Sequence, residues 1–168
     1  MKKTLICPMV IGFFFVSILG TFAHFFYEWS GYNPVVALFT PVNESIWEHI
    51  KLLFFPMLLY SFYLYYRFGR QYPDILCRMF TGLLIGCLFI PVSYYTYTGI
   101  LGHDVATLDI AIFYFSVLLS FWIASQLTFH TNNPICCNVI TGLLVFLLII
   151  LFFIFTWYPP DIFLFESP

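Results

Sequence analysis

Charge is the scarcest property of this chain. Only 8% of its 168 residues are Asp, Glu, Lys or Arg, against 62% hydrophobic and 23% aromatic, with Phe alone at 23 positions. A water-soluble domain of this length needs far more polar surface, so a soluble globule is excluded. A basic tract and a phosphate-cradling glycine loop are also missing, which argues against nucleic-acid and nucleotide binding. No long polar linker, low-complexity segment or fixed-period repeat divides the chain, and residues 1–168 read as a single integral-membrane domain.

What remains is apolar sequence in runs near or above the roughly 20 residues that cross a bilayer. Five spans are expected, over about 5–27, 45–66, 76–98, 107–129 and 136–157. The first follows Met1-Lys2-Lys3 and continues through Phe25, Phe26 and Tyr27 to Trp29, which suits an uncleaved span with an aromatic belt better than a signal peptide. The connections after spans two, three and four are short, so consecutive helices should pack antiparallel. The segment from Ser30 to Asn43 is longer, but its apolar Val35-Val36-Ala37-Leu38-Phe39 is too short to cross; an interfacial or re-entrant piece is expected there.

Cationic segments are retained on the cytoplasmic side. With the N-terminus inside, Lys2, Lys3, Arg67, Arg70 and Arg78 are cytoplasmic and only Lys51 lies toward the outer side. The expected fold is therefore all-α: a polytopic membrane bundle of five transmembrane helices, with a cytoplasmic N-terminus and an extracytoplasmic C-terminus. Cys7, Cys77, Cys136 and Cys137 fall near the cytoplasmic face and Cys87 inside span three, so free thiols are expected. Within the bilayer, Gly82 and Gly86 form a small-xxx-small pair that marks span three as closely packed. Ser116 and Ser120 mark the inward face of span four, and the apolar run Leu143 to Phe155 marks span five as a lipid-facing scaffold.

This topology sorts the acids. Glu28, Glu44, Glu48, Asp104, Asp109, Asp161 and Glu166 fall outside and only Asp74 inside, and His24, His49 and His103 join the outer group, whereas His130 is assigned to a cytoplasmic loop. His24 and Glu28 are spaced i, i+4 near the end of span one, and Glu44 and Glu48 have the same spacing at the start of span two, with His49 beside them. Ser93-Tyr-Tyr-Thr-Tyr97 ends span three, ahead of His103-Asp104 and Asp109. Imidazole nitrogens and carboxylate oxygens from several helices form a donor set for a divalent metal such as zinc. The metal-ligand candidates are His24, Glu44, Glu48, His49 and His103, and the proton-acceptor candidates are Glu28 and Asp104. The blander reading makes Ser45-Ile-Trp-Glu48 a capping box, Glu48 a partner of Lys51 at i, i+3, and Asn43-Glu44-Ser45 part of a helix cap.

The stretch His24-Phe-Phe-Tyr-Glu-Trp29, followed by Phe39-Thr-Pro-Val-Asn-Glu-Ser-Ile-Trp-Glu-His-Ile-Lys-Leu-Leu-Phe-Phe-Pro56, resembles a family of small bacterial multi-pass membrane proteins of unknown function. The resemblance centres on residues 24–56 and implies a bacterial inner-membrane setting without an activity. Two function classes follow from the residues. One is a metal-dependent hydrolase acting on a lipid or lipid-linked substrate at the outer leaflet. The other is a cation- or proton-coupled transporter, or an accessory membrane subunit, using the same carboxylates.

Overall fold

The computed structural model describes residues 5–127 and 134–166. The expectations placed on Lys2, Lys3, His130 and the side chain of Cys136 lie outside the described residues. Among those described there are helices and no strands: α1 (Ile6–Trp29), α2 (Pro34–Ala37), α3 (Ile46–Phe68), α4 (Ile75–Leu101), α5 (Ala106–Gln126), α6 (Pro134–Trp157) and a closing 3-10 turn (Phe163–Phe165). Four of them, α1, α4, α5 and the Cys137–Trp157 part of α6, are long and apolar enough to cross a membrane. The fifth long helix, α3, has 23 residues but is more polar, carrying Glu48, Lys51, Arg67 and Tyr60, Tyr63, Tyr65 and Tyr66. Five equivalent apolar spans are thus not what the helices present: α3 is the buried one, packed against α1 and α4.

Close helix approach is written in glycine. A methyl group on Gly82 or Gly86 would overlap Ser120, so these two positions let α4 lie directly against α5, where Ser116 and Ser120 are fully buried. Their hydroxyls donate back to the carbonyls of Ile112 and Ser116, which satisfies them without a partner helix. Gly20 serves α1 in the same way. A Cβ there would sit 2.5 Å from the carbonyl oxygen of Leu52 and 2.7 Å from the Phe113 ring, so α1 touches the α3 backbone only because the side chain is absent. By contrast α6 leaves Leu143, Phe146 and Leu147 exposed and buries Phe152 against Trp47, Phe54 and Phe55.

Between α1 and α3, where an interfacial or re-entrant piece is expected, the chain forms the short helix α2, started by Asn33, whose side chain accepts from Val35 N–H at 2.8 Å, with Pro34 in the first turn. Lys51 holds this connection in place from below. Its ammonium donates to the Ala37 carbonyl (3.1 Å), Glu48 Oε2 (2.7 Å) and Thr156 Oγ1 of α6 (2.6 Å), using all three of its protons.

At the opposite end of the bundle, Cys77 and Cys137 are joined by a disulfide between α4 and α6, which corrects the expectation of free thiols; Cys7 and Cys87 are free. Spacing along the chain could not show this pair, 60 residues apart, because it forms only when α4 and α6 pack parallel, start beside start. Asn138 bridges the same point, accepting from Cys77 N–H at 2.8 Å and donating to the Pro73 carbonyl at 2.7 Å. Asp74, the one acid at this end, pairs with Arg78 at 2.6 Å.

Candidate functional site

The close approach at Gly20 sets the site. One turn further along α1 stands His24, and about one turn back from Leu52 along α3 stands His49, so the two imidazoles meet with ring centroids 5.4 Å apart. Glu44 comes between them from the chain just ahead of α3. Its Oε2 lies 3.5 Å from His24 Nε2 and 3.4 Å from His49 Nε2, and one donor atom from each of the three residues falls within 4.8 Å of the other two. The side chains are partly accessible, at 33% for His24, 29% for His49 and 63% for Glu44, which leaves one side open to a ligand.

Local structure explains how Glu44 reaches the imidazoles while Glu48 does not. Ser45 is the N-cap of α3 and accepts from Glu48 N–H at 3.4 Å, so Glu44 precedes the helix and does not share its periodicity. Asn43 Oδ1 takes the Ser45 N–H at 2.9 Å, and this fixes the bend that turns Glu44 toward α1. Glu48 faces inward, only 3% exposed, where its Oε2 accepts from Lys51 and from Val42 N–H at 3.0 Å. The reciprocal arm of a capping box, Glu48 to the Ser45 N–H, is therefore replaced by the Asn43 bond.

His49 Nδ1 lies 3.0 Å from the Ser45 carbonyl oxygen. A carbonyl oxygen only accepts, so the proton of this bond sits on Nδ1 and Nε2 is the atom presented to Glu44. In the neutral ring Nε2 carries a lone pair, and a lone pair 3.4 Å from a carboxylate oxygen calls for a cation or a proton between them.

A cleft of about 390 Å³ opens beside the cluster, with His24, Glu44, His49, Tyr94, Asp104 and Asp109 as its polar lining and Leu52, Ile90, Ile112 and Phe113 on its apolar walls. Glu28 lies in an adjoining cleft of about 250 Å³ that also contains His24 and Glu44. His103 lines neither; it is exposed, with Nδ1 3.2 Å from the Leu101 carbonyl. Of the residues singled out from sequence, the fold thus brings together His24, Glu44 and His49, sets Asp104 and Glu28 in the adjacent clefts, and keeps Glu48 and His103 apart from them.

The sequence profile of a family of unknown function matches residues 2–168, well beyond the 24–56 segment that carries the resemblance. The chain belongs to that family, DUF6512. No curated protein and no solved structure matches it. The DUF6512 cleft also contains two residues that sequence reasoning did not place among its candidates. Asp109 and Tyr94 enter from α5 and α4, and Tyr97, one turn from Tyr94, donates to Asp109 Oδ1 at 2.5 Å while accepting from Val105 N–H at 3.2 Å. The tyrosine-rich end of α4 was the available signal, but a helix-end tyrosine is also what a membrane interface selects.

Proposed function

We propose that this DUF6512 protein is a bacterial inner-membrane protein in which His24, Glu44 and His49 hold a divalent metal, with zinc the best fit, and that the metal hydrolyses a lipid or lipid-linked substrate. The observation that supports this most directly is the convergence of His24, Glu44 and His49, whose ligand atoms lie within 4.8 Å of one another. Tetrahedral zinc, bound at about 2.0–2.1 Å, places its ligand atoms roughly 3.3–3.4 Å apart. The two nitrogen–oxygen separations of 3.5 and 3.4 Å are close to that edge. Two imidazoles and one carboxylate leave a fourth position, the hallmark of a catalytic rather than a structural zinc site. Glu48 and His103 are left out of the ligand set, the first because Lys51 and Val42 already use its carboxylate, the second because it stands outside the cleft.

In this reading the metal lowers the pKa of a bound water, and Asp104 or Glu28 accepts the proton that the water releases. The hydroxide adds to the substrate's carbonyl carbon; when the carbon–heteroatom bond breaks, the leaving alcohol or amine takes up that proton, and a carboxylic acid remains. The apolar walls of the cleft hold the acyl chain.

The membrane arrangement that goes with it has all five long helices crossing, with α3 shielded by the others, the N-terminus inside and the site at the outer face. Elemental analysis of the purified chain tests the metal. One equivalent is expected in the wild type and in His103→Ala, with loss in His24→Ala and His49→Ala; metal-free wild-type protein, or equal metal in all variants, overturns the reading. Fatty-acid release from acyl-lipid vesicles by the loaded protein then tests hydrolysis, and cation flux without any release would make it a transporter instead.

A further inference from the structure

The cleft beside the His24–Glu44–His49 cluster has a charge character of its own. Its lining contains no Lys or Arg, yet Asp104 and Asp109 enter it in addition to Glu44. Among the described residues no cation pairs with them: the ion pairs there are His24–Glu44, His49–Glu44, Lys51–Glu48 and Arg78–Asp74. The nearest lysine in sequence, Lys51, is sealed by its own three bonds. Asp109 is aimed by Tyr97, and Tyr94 adds an aromatic ring to the same lining. Carboxylates with an aromatic ring, beside apolar walls, form a receptor for an ammonium group on a hydrocarbon chain. A dication held by Glu44 and two neutral imidazoles contributes one net positive charge, and the two aspartates reverse it.

We infer that the substrate of this cleft is an acyl amphiphile with an ammonium-bearing head group, seated with its head on Asp104, Asp109 and Tyr94, and that phosphate-headed lipids are disfavoured. This rests on the hydrolase reading for the word substrate, and with Asp104 engaged by the head group the proton acceptor of that reading is Glu28. The selectivity itself follows from the lining and is measured separately from metal content.

The test uses the full chain, zinc-loaded, in uncharged alkyl-maltoside micelles at low ionic strength, with two probes of one chain length: decyltrimethylammonium and decyl phosphate. Calorimetric titration should show the ammonium probe binding at least about ten-fold more tightly than the phosphate probe. The ratio should collapse toward one in Asp104→Asn/Asp109→Asn. Because Asp109 is bonded to Tyr97, Asp104→Asn alone is the second variant; Asp104 makes no hydrogen bond or ion pair among the described residues, and its neutralisation should lower the ratio with the protein folded. Equal or tighter binding of decyl phosphate, binding of neither probe, or a ratio unchanged in both variants overturns the inference. Zinc content, read on the same samples, reports on the metal site: its absence with the selectivity intact defeats the hydrolase reading alone, and its presence with no selectivity defeats this inference alone.

Discussion

Lys51 Nζ lies 2.7 Å from Glu48 Oε2, one helical turn away on α3, and the two side chains are 0% and 3% exposed. Removing one partner strands a buried charge, a loss of about 3–5 kcal/mol in comparable pairs. Lys51→Met should therefore be strongly destabilised and should release the α2 connection, which Lys51 holds through the Ala37 carbonyl. The double variant Glu48→Gln/Lys51→Met, which leaves neither charged group of the pair inside, should recover much of the loss. Thermal unfolding in detergent checks both. Equal instability of single and double variants would show that the backbone and Thr156 bonds, and not the charge pair, are what matter.

Gly20 controls the distance between the two imidazoles. Gly20→Ala puts a methyl against the Leu52 carbonyl, a backbone atom that cannot rotate away. Overpacking of this kind costs about 1–3 kcal/mol. The outcome expected is a lower melting temperature together with weaker metal binding, because His24 moves with α1. Gly99→Ala, with open space around its Cβ, is the matched control and should be neutral to about 1 kcal/mol stabilising.

Metal binding should appear as stability. A ligand present at about a hundred times its Kd stabilises the native state by roughly 2.7 kcal/mol. Zinc should raise the melting temperature of the wild type and a chelator should lower it again, whereas His49→Ala should respond to neither. A matching zinc response in His49→Ala would place the ion elsewhere.

The Cys77–Cys137 bond lies at the end of the bundle that also carries Arg67, Arg70 and Arg78. If that end is cytoplasmic, reductants act on the pair in growing cells. With the bond formed as in the structure and this end facing cytoplasmic reductants, maleimide tagging under denaturing conditions should find it opened in growing cells and closed again on treatment with diamide. A pair already closed in untreated cells would place this end in the oxidising compartment and invert the proposed orientation. A C-terminal reporter fusion gives an independent reading, with activity expected only on the outer side.

Sequence by itself determined whatever depends on neighbours along the chain. The scarcity of charge and the length of the apolar runs required long membrane-type helices. The Ser45 cap marked where α3 begins, while Gly82, Gly86, Ser116 and Ser120 marked the close-packed face of α4 and the inward face of α5. Each of these is a local preference or a helical periodicity, and both are carried by consecutive residues. Only the tertiary structure decided which polar groups meet. Glu44 and Glu48 have the spacing of one helix face, yet Glu44 lies before the N-cap and bends to His24 and His49, while Glu48 turns inward to Lys51. Cys77 found Cys137 where the parallel helices α4 and α6 start side by side. The physical reason is the same in each case: a polar group in a mostly apolar bundle takes the partner that the packing brings within reach, and packing distances are set by contacts, such as Gly20 against Leu52, between residues far apart in the chain.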